Sequence, residues 1–170
     1  TQFSVEELRA ACEEAEAANL YAMAHAYSPR AVTRAVQAGV RSIEHGNLID
    51  EATARVMKAH GAYLVPTLST YVALADEGQA LGWSPSMLDK LRTVHERGIE
   101  SLKIARAEGV PVVFGTDLLG EMHADESLEF TLRAPAMPAA EILRSATAVN
   151  ACSPPDSSVS DCSRLPGGWA

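Results

Sequence analysis

Apolar positions along this chain alternate between two periods. After Ser4, the residues Leu8, Ala11, Cys12, Ala15 and Ala18 recur at helical spacing. Ser4-Val5-Glu6-Glu7 opens that stretch with the pattern of a capping box, in which Ser4 caps the helix and Glu7 reaches back. The run Leu20 to Ala26 reads as a buried strand. Pro29 suits the first turn of a helix running to Ala38, and Gly39 suits its C′ position. Val40 to His45 is the next strand. Asp50 caps a helix that ends near His60 and Gly61, and Ala62 to Thr67 is a third strand. A longer helical stretch follows, broken around Gly78 to Pro85. Its later part, to Glu108, places Leu88, Leu91, Val94, Leu102 and Ala105 on one side. Gly109 ends it, Val110 to Gly115 is a fourth strand, and Asp125 to Leu132 and Pro138 to Val149 read as two more helices.

Strands that alternate with helices predict an α/β fold with a parallel sheet covered by helices. Four strands cannot close an eight-stranded barrel; they make half of a TIM-type (β/α)8 barrel or a small open sheet. Residues 1–151 form this unit. Residues 152–170 hold five Ser, three Pro and two of the three Cys, with neither period, and read as an irregular tail. The abrupt change near Cys152 predicts a shifted reading frame or a truncated gene, which the nucleotide sequence would test.

Composition narrows the function. A hydrophobic fraction of 47% and a charged fraction of 21% fit a globular chain of 170 residues. The net charge of -8 and the scattered basic residues argue against a nucleic-acid partner. No apolar run approaches the ~20 residues of a membrane span. The N-terminal residues lack the pattern of a secretory signal, which points to the cytoplasm. Cys12, Cys152 and Cys162 show no CxxC spacing, so neither a zinc knuckle nor a disulfide framework is expected.

The candidate chemistry lies at strand ends. His25, His45 and Asp117 each stand where an apolar run gives way to a loop. Taken singly, each has an ordinary explanation: a histidine bonded to a nearby carbonyl, or an aspartate capping the next helix. Taken together they gain weight, because the carboxyl ends of parallel barrel strands all face one mouth. Gly46 behind His45 would open space there. His60 suits the helix end before Gly61, His95 a helix surface, and Trp83 a packing role.

The segments Ala24-His25-Ala26, Ser42-Ile43-Glu44-His45-Gly46, Leu64-Val65-Pro66-Thr67-Leu68 and Gly115-Thr116-Asp117 resemble the second half of the amidohydrolase superfamily barrel. The similarity is to the branch of imidazolonepropionase-like and Xaa-Pro dipeptidase-like enzymes, over Val5 to Ala151. It implies that His25 and His45 are metal ligands, and that Asp117 both binds metal and serves as general base. It implies a divalent metal, zinc by preference, and an amide, dipeptide or cyclic amide as substrate. Tyr27, Arg30, Thr67 and His123 are the candidate substrate-binding residues. The family's binuclear site also needs a His-x-His pair and a bridging lysine. No His-x-His occurs, and Lys58, Lys90 and Lys103 all fall in expected helices. The binuclear site cannot be completed from this chain, so a missing N-terminal half or self-association is expected. The expected function is that of an amidohydrolase fragment inactive alone, or alternatively of a non-catalytic half-barrel that binds a partner.

Overall fold

A computed structural model of the chain describes residues 2–151. Its elements are α1 (Val5–Ala17), β1 (Met23–Ala26), α2 (Pro29–Ala38), β2 (Ser42–His45), α3 (Glu51–Ala59), β3 (Tyr63–Val65), α4 (Leu68–Ala80), α5 (Pro85–Glu108), α6 (Leu128–Arg133) and α7 (Ala139–Arg144). A 3₁₀ turn at Gly120–Asp125 precedes α6, and a π turn at Ser145–Val149 follows α7. The strands are parallel in the order β1-β2-β3, with Ala24 beside Ile43 and Ile43 beside Leu64.

Capping residues set the helix starts. The Glu7 amide donates to Ser4 Oγ at 3.1 Å, and the Ser4 amide donates to Glu7 Oε2 at 2.7 Å. Asp50 Oδ1 accepts from both the hydroxyl and the amide of Thr53, and these bonds hold its carboxyl below the usual range. Ser84 caps α5 after the break that Gly78 to Pro85 predicts. Trp83 packs as expected: its ring lies where a Cβ on Gly78 would fall.

Helices α2, α3 and α5 cover one face of the sheet. Val32, Val36, Ile43, Met57, Leu64 and Ala105 form the core beneath them. Burying each of the larger side chains contributes about 1.5–3 kcal/mol. A second cluster, including Leu68, Leu102, Val112 and Ile142, ties α4, α5 and α7 to the segment after Gly109.

Two expectations change. The first strand begins at Met23, and only Ala26 of its residues is buried. Among the described residues it has β2 as its one neighbour, and Met23 is 56% and Leu20 67% exposed. Asn19 turns left-handed (φ 56°), and the Leu20 amide returns to the Ala15 carbonyl. Leu20 therefore closes α1 instead of extending β1.

The fourth expected strand forms a single parallel bridge, Leu64 with Val112. The cause is residue 66. The Leu64 amide donates to the Pro111 carbonyl, and the Val113 amide donates to the Leu64 carbonyl. The next rung would run from the amide of residue 66 to the Val113 carbonyl. Pro66 has no N–H, so the ladder stops. Arg133 Nη1 donates to the Val113 carbonyl instead, at 3.0 Å. On the opposite edge the Asn150 side chain acts as a strand for one residue. Its Oδ1 accepts from the Phe114 amide at 3.2 Å, and its Nδ2 donates to the Phe114 carbonyl at 3.1 Å. Three regular strands and one side-chain-held segment thus stand where four strands were expected.

The expected irregular tail, residues 152–170, lies outside the described residues. Among the described residues no helix is long and apolar enough to cross a membrane.

Candidate metal centre

The strand ends bring the expected residues together. His25 lies in β1, His45 ends β2, and Thr67 follows β3 by two positions. His25 Nδ1 and His45 Nε2 are 2.7 Å apart. His45 Nε2 is 3.9 Å from Asp117 Oδ2. Thr67 Oγ1 is 2.8 Å from His45 Nδ1. With Nδ1–H donating to Thr67, the lone pair of His45 lies on Nε2, facing His25 and Asp117.

Aromatic rings fix the His45 imidazole from its faces. Tyr27 stacks on it, with centroids 4.8 Å apart and planes 10° apart. Tyr71 meets it edge-on at 6.2 Å. The Tyr71 hydroxyl donates to Asn47 Oδ1 at 2.9 Å, and Asn47 Nδ2 donates to the Val94 carbonyl at 3.1 Å. Burial pushes the Tyr71 hydroxyl well above its ordinary pKa, so it stays protonated and a donor. His45 is buried, whereas the Asp117 side chain is 41% exposed.

The backbone is strained at the same place. Four non-glycine residues among those described have positive φ, and three are His45 (78°), Thr67 (44°) and Asp117 (55°). The left-handed region costs an ordinary residue roughly 1–2 kcal/mol, and a β-branched one such as Thr67 is a clear outlier. Such strain collects where side chains must be aimed against local preference. Gly46 (φ 58°) does something other than open space. A Cβ there would lie 2.4 Å from Leu64 Cδ1, so its absence lets β2 turn tightly over the core.

Burial lowers the His45 pKa; Asp117 opposes the shift and His25 adds to it. The neutral imidazole that results is the ligating form. Burial raises the Glu44 carboxyl, and the negative charge of Asp117 adds to this. The Ser42 hydroxyl, donating at 2.6 Å, and the nearby His25 oppose it.

Under Asp117 lies a network that sequence reasoning missed. Ser69 Oγ donates to the Thr116 carbonyl at 3.3 Å, and the Ser69 amide donates to Glu129 Oε2 at 2.7 Å. Glu129 Oε1 accepts from Arg133 Nε at 2.7 Å, with both side chains fully buried. The guanidinium sits 4.6 Å from the Phe114 ring centroid. Only the i,i+4 spacing of Glu129 and Arg133 signals this pair, and that spacing also fits an exposed helix face. Tyr71 had a weak signal too, one helical turn after Thr67.

The remaining candidates stand apart. Arg30 is exposed in the first turn of α2. His123 bonds the Leu118 carbonyl through Nε2 at 2.6 Å and lines an open cleft with Phe114, Thr116 and Phe130. His60 Nδ1 bonds the Val56 carbonyl at the end of α3, as a helix-end residue should. His95 is half-buried, with Nδ1 unpartnered, and is less exposed than its expected surface position. Asp117 does not cap the turn that follows, which starts after Leu119 without a side-chain cap.

Two imidazole nitrogens and a carboxylate oxygen are donor types that zinc and related ions accept. The His25–His45 spacing of 2.7 Å is that of a hydrogen bond. Two nitrogens on tetrahedral zinc stand about 3.3 Å apart. Among the described residues no three His, Cys, Asp or Glu side chains form a ready ligand set. The donors therefore fit by chemistry, and ligation requires the two rings to part and the exposed Asp117 to swing inward.

The sequence model of the Amidohydrolase family matches residues 1–153. A prolidase solved in complex with N-methylphosphonate-L-proline is 56% identical, with a TM-score of 0.82 over 89% of this chain and 37% of its own. A Xaa-Pro dipeptidase solved with methionine in its active site is 31% identical, with a TM-score of 0.78 over 88% of this chain and 37% of its own. Ochratoxinase of Aspergillus niger is 30% identical over 151 residues, which are 86% of this chain and 30% of that protein. The chain spans about a third of the length of these relatives.

Proposed function

This chain belongs to the amidohydrolase family, and on that premise we propose that it carries part of the active site of a metal-dependent hydrolase of amide or peptide C–N bonds. Its residues 1–151 would be the last four strand–helix units of a (β/α)8 barrel. The convergence of His25 in β1, His45 at the end of β2 and Asp117 after the bridged fourth segment, with left-handed backbone at two of them, carries this reading.

In this reading His25 and His45 hold a divalent metal, zinc by donor type, together with Asp117. A divalent ion held there would supply the positive charge that acidifies an attacking water and polarises the scissile carbonyl. Thr67 keeps His45 in the tautomer with Nε2 free. Tyr27 and Tyr71 keep its ring from rotating. Asp117, partly open to solvent, accepts the proton of the attacking water and passes it to the leaving amine. Tyr27 and Thr67, which touch the His45 ring, would border the substrate, whereas Arg30 and His123 stand apart from the trio. The prolidase and Xaa-Pro dipeptidase relatives favour a dipeptide or N-acyl amino acid. The other ligands come from further polypeptide, so the chain alone does not turn over.

Hydrolysis of Xaa-Pro dipeptides and N-acyl amino acids tests this, for the chain alone and mixed with the N-terminal portion of the prolidase relative. The expected result is hydrolysis only in the mixture, lost in His25→Ala and Asp117→Asn. Hydrolysis that survives both substitutions would overturn the assignment. A second reading, a non-catalytic half-barrel that self-associates, draws on the free edge of β1 and the exposed Met23.

A further inference from the structure

We infer that the buried Glu129–Arg133 pair is a positioning device that sets the place of Asp117. The inference rests on the reading of Asp117 as a metal-site carboxylate. The pair lies on α6, remote in sequence from the strand ends, yet each charge reaches a segment of the site. Arg133 Nη1 holds the Val113 carbonyl, four residues before Asp117, at 3.0 Å. Glu129 Oε2 accepts from the Ser69 amide at 2.7 Å, two residues after Thr67. Ser69 Oγ then donates to the Thr116 carbonyl, the peptide that leads into Asp117. One ion pair thereby ties together the segments that carry two of the left-handed residues, Thr67 and Asp117.

The need for the tie follows from the ladder. Pro66 removes the rung that would fix this end of the fourth segment against β3. Without a substitute, the Val113 carbonyl is unbonded, and the segment leading to Asp117 is held on one edge alone, by Asn150 at Phe114. Stability alone is a poor reason for the pair, because a buried ion pair does little better than an apolar replacement. Arg133 Nη2 is buried without a partner, which adds cost without benefit to the core. Its guanidinium is spent on one carbonyl, one carboxylate and the Ser145 hydroxyl at 3.3 Å.

The test uses the whole chain with Co²⁺ as the probe. Arg133→Met alone strands a buried carboxylate, so the informative variant is Glu129→Gln with Arg133→Met. It keeps an acceptor for Ser69 and removes the hold on Val113. Arg133→Lys, which keeps the charge but replaces the guanidinium fork with a single ammonium, serves if the double variant does not fold. We expect the double variant to fold, with Co²⁺ affinity at least tenfold weaker and an altered visible spectrum. Adding Asp117→Ala should cause no further loss, the non-additivity of residues acting through one another. Backbone NMR signals of Thr116 and Asp117 should move while those of β1 and β2 stay. Unchanged affinity, or a loss that adds in full to that of Asp117→Ala, would overturn the inference. If Asp117→Ala leaves Co²⁺ uptake unaltered, the metal role of Asp117 fails. The NMR signals then decide the positioning claim by themselves, and unmoved signals reject it.

Discussion

His45 is the residue on which the site turns. The proposed ligand role needs it neutral, and burial depresses its pKa below the ordinary imidazole value of 6.5. The unfolded chain then binds more protons than the folded one as pH falls through that value. This contribution to stability is present above pH 6.5 and is lost on acidification through the lower folded pKa. Glu44 works in the opposite sense. Its folded pKa is raised above 4.5, so its contribution is full below 4.5 and is lost as pH rises through the folded value. Urea unfolding at pH 7 and pH 5 should therefore show a smaller acid loss in His45→Gln than in the native chain, and a larger one in Glu44→Gln. Asp117 carries the other residue-scale prediction. Its φ of 55° suits glycine better than any L-residue. Asp117→Gly should raise stability by roughly 0.5–1 kcal/mol while removing the site's carboxylate. An unfolding midpoint that falls would show that the backbone there is not strained.

At the scale of elements, the fourth segment explains most of what the architecture does around the site. Its expected strand is replaced by side-chain bonds from Arg133 and Asn150, because Pro66 interrupts one edge and no strand among the described residues pairs at the other. Asn150→Ala leaves the Phe114 amide and carbonyl without their partner. A loss of about 1–3 kcal/mol in urea unfolding is expected. Alanine at Gly98 of α5 makes a second case: its Cβ would fall 2.6 Å from Asn47 Nδ2 and 2.9 Å from Leu68 Cδ2. Overpacking of that kind costs typically 1–3 kcal/mol, and displacing Asn47 also frees Tyr71 at the His45 ring. These cases mark what sequence could reveal. Helix starts at Ser4 and Asp50 were legible because a cap is a local event, decided within four residues. The trio was legible because its members end apolar runs. Pro66 was visible, but its effect depends on the register of a neighbouring segment, which no local pattern encodes. The burial of Glu129 and Arg133 is a tertiary fact for the same reason.

For the whole molecule, the open features are the edge of β1, which no strand among the described residues covers, and the proposed metal site at His25, His45 and Asp117. Among the described residues β1 pairs only with β2, and Met23 on it is exposed. Sedimentation of the chain should show concentration-dependent association, reduced in Met23→Lys without a change in melting temperature. The proposed site requires three side chains from distant positions to serve one ion. Zinc binding, measured by competition with a chromophoric chelator for the native chain and for His25→Ala, His45→Ala and Asp117→Ala, tests this most directly. Weak binding of a single ion by the native chain and a clear loss of affinity in each variant are expected. Affinity that is the same in all four proteins would contradict the proposal.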